Sequence, residues 1–459
     1  MPRNTSSGPR AVGYVLMGFP RVSETFIASE LHRVEQAGVP VRLFVVKPVE
    51  ARERELRHPV VDAIRARPRY LPDAAALTRP LHRWRPADVG PFTPALRRVL
   101  RRRPLGLARA AATALAQALR DRRTRLSGPR KIYVKELLQA IALADAVLAA
   151  PEVRHLHAHF AHGTTTITWH AARIAGLPFS FTGHARDIYA GHLNPKGWLR
   201  RKLLAARFVV TCTEANRRHL AAIAPEAEIH RVYHGLNADF ARLVREGRTN
   251  GAGAAGAANG TGATRAANGS APERLRVLAV GRMVAKKGFD QLVEACAELE
   301  RRGVAFEAAI VGQEDKHSGA VRDGIARHGL ERRIALPGPM GQEQLLAEYR
   351  RASVLCMPSR LLPDDRDGIP NVLVEAMAAG TPVVASAVSG IPELVEDGVN
   401  GVLVAPDRPA ELADALERLH GDPALRRRLA GAGRETVAAR FDGDRLAGRL
   451  AELFREALA

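Results

Sequence analysis

The sequence has no apolar run approaching the eighteen or so residues that a bilayer crossing needs. Its two best candidates, residues 105–119 and 137–150, carry Arg109 and Asp145, which excludes a spanning helix. Residues 11–19 have the length of a signal-peptide core, yet no small-residue cleavage pattern follows and they read as a first strand. Cysteine is scarce as well. Cys212, Cys296 and Cys356 stand far apart among apolar residues, so neither a disulfide framework nor a metal knuckle is expected, and a reducing cytoplasm fits. Aromatic residues make up only 5% of the chain, and neither a zinc finger nor an aromatic-basic RNA motif occurs. A nucleic-acid partner is therefore not expected.

Acidic residues are in short supply: 48 Asp and Glu face 69 Lys and Arg, a formal charge of +21. The excess is local. Residues 51–150 hold 22 basic side chains against 8 acidic ones, two-thirds of the whole imbalance. Such a segment can meet an anionic partner, or it can reflect a coding bias toward Arg and Ala, and composition leaves both open. With 459 residues and 46% hydrophobic content the chain can bury two cores of ordinary size, so two domains are expected.

Residues 11–17 are apolar and β-prone, Ser23 can cap a helix carrying Phe26, Ile27, Leu31 and Val34, Gly38 ends that helix, and residues 41–46 form a second strand. This βαβ unit is followed, from about 51 to 150, by Pro-interrupted, Arg-rich helices that read as an insertion. Alternation resumes with a strand at 155–160 and continues to one at 229–233, which gives a first domain of residues 1–245. Residues 246–272 are almost wholly Gly, Ala, Asn, Thr and Ser, a composition that buries too little apolar surface to offset its ordering entropy and reads as a flexible linker. A second alternating run has strands at 275–280, 306–311, 333–336, 353–358, 382–385 and 401–404. It makes a parallel α/β domain over 273–440, followed by an amphipathic helix within 441–459.

In open parallel sheets, ligands bind beyond the carboxyl ends of the strands, so the polar residues just after strands matter most. In the stretch 367–380, Pro370 suits the first helical position and Gly380 the position just past the end. Glu375 then lies about one and a half turns inside a helix of apolar residues. A buried carboxylate needs a partner, which a pair of ligand hydroxyls would supply; the helix dipole alone is the plainer account. After the strand at 275–280 come Gly281, Arg282, Lys286 and Lys287. Arg282 and Lys287 are the candidates to neutralise a diphosphate and the charge that builds on it as it leaves. His155, His157 and His159 share one face of a strand, with His162 just beyond, but no carboxylate or cysteine is close in sequence, and no metal is expected.

These two stretches resemble the second domain of GT-B glycosyltransferases of family 4. That family carries an Arg followed five positions later by a Lys after a Gly, matched here by Arg282 and Lys287 behind Gly281. It also carries two glutamates separated by seven residues; Glu375 matches the later one, and Asp367, one methylene shorter, stands at the earlier. The resemblance covers about residues 275–405. It implies an α/β fold, GT-B, of two Rossmann-like domains with parallel sheets facing a central cleft. It assigns Glu375 to the ribose hydroxyls of a nucleotide-diphosphate-sugar donor, Arg282 and Lys287 to the diphosphate, and Asp367 to hydroxyls of the transferred sugar. The backbone of Gly368, Ile369, Pro370, Asn371 and Val372 would lie close by, and the loop with Gly338 and Met340 would receive the nucleobase. His184, just past a first-domain strand, would contact the donor sugar near the reacting carbon, although a lone histidine there is often structural. Residues 18–27 resemble the subgroup that builds colanic-acid-like exopolysaccharides, which puts Ser23 and Glu24 at a helix N-terminus facing the acceptor.

The activity so implied is transfer of a sugar, with retention of configuration, to a glycan or lipid-linked acceptor in cell-surface polysaccharide biosynthesis. It would need no cofactor and no metal, the basic pair and a helix N-terminus taking the part of a divalent ion. The protein would be cytoplasmic, with its Arg-rich segment in peripheral contact with anionic lipid at the inner membrane surface. One rival is a sugar-nucleotide epimerase or phosphorylase of the same architecture, which would lack the carboxylate and the Arg and Lys pairing. A basic nucleic-acid-binding protein is the other.

Overall fold

The computed structural model describes residues 9–21, 24–49, 59–121, 130–237, 240–242 and 274–459. Ser23 and the linker expected at 246–272 lie outside the described residues. The chain divides into two compact units, Met1–Tyr233 with Asp444–Ala459, and His234–Gly443.

The first unit holds seven parallel strands in the order β3-β2-β1-β4-β5-β6-β7. They are β1 (Ala11–Leu16), β2 (Val41–Val45), β3 (Pro68–Tyr70), β4 (Val153–His159), β5 (Phe179–Gly183), β6 (Val209–Thr211) and β7 (Ile229–Arg231). All six residues of β1 are buried, as expected of a strand covered on both faces. One face packs on Ile27, Leu31 and Val34 of the helix Thr25–Gln36 and on Leu450, Leu453 and Phe454 of the helix Gly443–Leu458. The other is covered by the helices Lys131–Leu148 and Gly163–Ala175. Within the segment read as a helical insertion, residues 68–70 form β3, which adds to the sheet beside β2. A proline as first residue of an edge strand costs no ladder bond. Elsewhere in that segment the described residues include the helices Thr93–Arg102 and Pro104–Arg120, besides Lys131–Leu148. No helix among the described residues is long and apolar enough to cross a membrane.

The second unit holds six parallel strands in the order β10-β9-β8-β11-β12-β13. They are β8 (Leu275–Val280), β9 (Phe306–Val311), β10 (Ile334–Gly338), β11 (Val354–Met357), β12 (Val383–Ser386) and β13 (Val402–Val404). Strand order reverses between β8 and β11 in this sheet and between β1 and β4 in the other. At such a point the connections leave in opposite directions and open a crevice beyond the carboxyl ends.

Candidate active site

In the second unit the loops leaving β8 and β11 interlock at this point of reversal. Gly288 has φ +64°, and a Cβ there would collide with the Pro358 carbonyl, so only glycine lets the two loops touch. The Arg360 N–H donates to the Lys286 carbonyl at 2.9 Å, and the Arg360 guanidinium grips both oxygens of Asp290 at 3.1 and 2.6 Å. Gly312, after β9, packs so tightly on Gly281 that a Cβ would strike the Gly281 carbonyl. The Gly312 N–H donates to the Gly338 carbonyl at 3.0 Å, which ties in the end of β10 just before the loop that carries Met340.

The chemistry is concentrated where these loops cross. Lys286 Nζ lies 2.8 Å from Asp365 Oδ1 and 3.2 Å from Asp367 Oδ1, and Lys287 Nζ lies 2.7 Å from Asp367 Oδ2. Burial would raise the Asp367 carboxyl, but the Lys287 and Lys286 ammoniums outweigh it and hold the group down to about 2. Burial likewise works against the Lys286 charge, and Asp367 and Asp365 overcome it, keeping that ammonium above its ordinary range. Arg282 is exposed and makes a looser pair with Asp315 at 3.3 Å, a contact worth little in water. Asp367 thus contacts both lysines, whereas the resemblance assigned it to sugar hydroxyls alone and gave no part to Lys286 or Asp365.

Asp367 leads through Gly368 and Ile369 into the helix Asn371–Ala379. Pro370 is its N-cap, one position earlier than expected, and Gly380 ends it with φ +83°. The N–H groups of Asn371 and Val372 belong to the first turn, which has no intrahelical acceptors for them, while the Leu373 N–H donates to the Pro370 carbonyl at 3.0 Å. Glu375 is partly buried. The Tyr349 hydroxyl donates to its Oε2 at 2.9 Å, and among the described residues no other side chain pairs with the carboxylate. Burial raises the Glu375 carboxyl and the Tyr349 hydrogen bond partly offsets the rise. Tyr349 supplies the partner that the sequence could not name, and the second oxygen stays open to a ligand hydroxyl.

In the first unit His184 follows β5 and is nearly buried. Its Nε2 lies 3.3 Å from His159 Nδ1, and His159 Nε2 lies 3.0 Å from Glu30 Oε1, to which the Tyr14 hydroxyl also donates. The backbone N–H of His184 donates to Asp187 at 3.1 Å, and Asp187 also accepts from Ala161 at 2.6 Å. His184 thus belongs to a chain of close polar contacts with His159, Glu30 and Tyr14. Glu24 precedes the helix Thr25–Gln36 and pairs with Arg21 at 2.8 Å without capping the helix. Of the histidine row, His155 and His157 bond to Ser180 and Thr182 of β5. His157, His159 and Glu30 lie close enough to share an ion; that carboxylate comes from a distant helix, which sequence spacing could not reveal.

Residues 261–436, which fall within the second unit, match the family described as glycosyl transferases group 1. Over 188 residues the chain is 36% identical to the alpha-D-kanosaminyltransferase of Streptomyces kanamyceticus, covering 40% of this chain and 46% of that protein. Over 147 residues it is 42% identical to the amylovoran biosynthesis glycosyltransferase AmsK of Erwinia amylovora, covering 32% of this chain and 36% of that one. A putative colanic acid biosynthesis glycosyltransferase of Salmonella typhimurium is 36% identical over 39% of this chain and 45% of its own length. The matched part is thus less than half the length of these relatives. Among solved structures, the sucrose-phosphate synthase of Thermosynechococcus elongatus superposes with a TM-score of 0.67 at 19% identity, covering 97% of this chain and 99% of that one. HepE of Anabaena, in complex with UDP and glucose, gives 0.63 at 17% identity over 97% and 100%. The chain has the GT-B fold.

Proposed function

We propose that the chain is a retaining glycosyltransferase. It moves a sugar from a nucleotide-diphosphate donor, bound by the second unit, to a glycan or lipid-linked acceptor taken by the first, in the making of a cell-surface polysaccharide. The observation that carries this reading is the convergence, at the reversal point of the second sheet, of a basic loop, a carboxylate loop and a helix N-terminus. The names of the amylovoran and colanic acid relatives support the polysaccharide context, and the UDP of the HepE complex supports the donor class. Glu375 Oε1 accepts from a ribose hydroxyl, Arg282 and Lys287 exchange their carboxylate partners for diphosphate oxygens, and Asp367, so released, accepts from the transferred sugar. As the anomeric carbon–oxygen bond breaks, its electron pair passes to the diphosphate, whose growing charge the cations stabilise. The acceptor oxygen bonds to the same face of that carbon, and its proton goes to the departing diphosphate. The cations are the chain's own side chains, so this scheme uses no metal. Peripheral attachment to anionic lipid belongs to the same proposal and rests on the exposed arginines of the first unit.

Calorimetric titration of the full chain with a panel of nucleosides and nucleotide diphosphates tests the donor site. Arg282→Ala and Lys287→Ala should each weaken the diphosphates by roughly 1.5–3 kcal/mol, the worth of a charge-assisted hydrogen bond, and leave nucleosides unaffected. Equal weakening of both ligand classes would overturn the assignment.

A further inference from the structure

The first sheet has its own point of reversal, between β1 and β4, and a cavity of about 280 Å³ lies there. Its lining comes from the residues that follow four strands: Met17 after β1, Lys47 after β2, His162 after β4 and Leu193 after β5. The helix Lys131–Leu148 closes it with Lys135 and Glu136. Glu136 is only 7% exposed, yet among the described residues none donates a hydrogen bond to its carboxylate. A Cβ on Gly163 would come within 3.2 Å of Glu136 Oε1, so the carboxylate faces the glycine that opens the helix Gly163–Ala175. A buried carboxylate without a donor is costly, and that cost falls if a ligand hydroxyl enters.

Lys47 and Lys135 stand at the same cavity. Among the described residues neither forms an ion pair, and burial, reinforced by the nearby Lys47 charge, lowers Lys135. Two like charges brought together in this way favour an anion between them. Trp198, whose buried ring packs against Tyr133 and Trp169, forms part of the wall.

We propose that this cavity binds a phosphorylated sugar, whose ring hydroxyl donates to Glu136 while its phosphate bridges Lys47 and Lys135. The inference rests on the transferase reading only in naming that ligand as the acceptor; the binding itself stands on the cavity. Glycosyl phosphates occur free or attached to a lipid, and both present this chemistry.

The full chain is titrated calorimetrically with the 1-phosphates of glucose, galactose, mannose and N-acetylglucosamine, with the four unphosphorylated sugars, and with an isoprenyl diphosphate-linked form of each sugar. At least one phosphorylated sugar should bind saturably and at least tenfold more tightly than its parent sugar. Lys135→Gln should abolish that advantage, and Glu136→Gln should weaken the phosphorylated sugar at least fivefold, with an unchanged melting temperature confirming each fold. Tenfold tighter binding of the isoprenyl form would identify the lipid-linked source, and equal binding the free one. Absence of binding by every phosphorylated sugar, or binding indifferent to both substitutions, overturns the proposal. A parallel titration with nucleotide diphosphates separates the two readings: their binding without sugar-phosphate binding sinks the cavity and leaves the donor site.

Discussion

An incoming diphosphate must compete with Asp365 and Asp367 for Lys286 and Lys287, because each ammonium already faces a carboxylate. Asp367→Asn removes the charge shared by both lysines, so nucleotide diphosphates should bind roughly tenfold more tightly, the worth of about one charged contact. Sugar transfer should slow, since a hydroxyl acceptor is weakened. Looser binding in the calorimeter would show instead that Asp367 arranges the lysines for the phosphates. Arg282 and Lys287 could be singled out from the sequence because they follow a strand, and Glu375 because it is a carboxylate inside an apolar helix. Lys286 and Asp365 could not, since their pairing joins loops about eighty residues apart in the chain, a link that sequence spacing does not contain. A different residue-scale prediction concerns His170, fully buried with neither ring nitrogen hydrogen-bonded. Burial first, then the Lys202, Arg173 and Arg201 charges, push it down to about 3. A histidine depressed on folding contributes stability that is complete above its unfolded value near 6.5 and is lost as pH falls toward 3. His170→Leu should therefore make the first unit less acid-sensitive between pH 6.5 and 4, by up to about 1.4 kcal/mol per pH unit. Parallel pH profiles of urea stability for the two proteins would refute this.

Among elements, β8 and β9 coincide with the expected 275–280 and 306–311, because each is apolar but for one charged residue near its start, Arg276 and Glu307, which pair with each other at 2.8 Å. β3 escaped notice because three residues, one of them proline and one arginine, carry no such pattern. In the helix Thr93–Arg102 burial separates residues that are neighbours in sequence. Leu96, Val99 and Leu100 suggest an apolar strip beside five arginines, but Val99 is fully buried and Leu96 packs on the core. Arg98 is held by both oxygens of Asp145 at 2.8 and 2.7 Å. What faces outward is Arg97, Arg101, Arg102 and Arg103, with Leu100 56% and Leu105 73% exposed at the junction with the next helix. Lipid contact would thus use the corner between two helices. Each basic side chain near an anionic surface contributes on the order of 1 kcal/mol, and two leucines can enter the interface. Sedimentation with anionic vesicles should fall steeply as salt rises, and at least tenfold when Arg97, Arg101, Arg102 and Arg103 become glutamine. If wild type fails to sediment at low salt, the arginine excess is compositional.

For the molecule as a whole, two parallel α/β sheets were legible in the sequence, but not the association with the first unit of the final helix. Its amphipathic pattern was legible; its destination depends on which apolar surface is left uncovered, and that is settled only by the assembled sheet. Phe454 is fully buried there, with its ring 5.8 Å from Tyr14, 4.9 Å from His157 and 6.2 Å from Phe208. These rings come from β1, β4 and the residue before β6, so one side chain of the final helix fills the space over three strands. Truncation of such a phenylalanine leaves a cavity and forfeits its burial, at a cost of about 3–5 kcal/mol. The three tryptophans, Trp84, Trp169 and Trp198, all lie in the first unit, so their fluorescence reports its unfolding alone. Phe454→Ala should move the fluorescence-detected urea transition to lower denaturant by that free energy. The part of the circular dichroism change that fluorescence does not follow, which belongs to the second unit, should keep its midpoint. If both signals shift together, the helix stabilises the two units as one cooperative body, and the division of the chain at residue 233 has no thermodynamic counterpart.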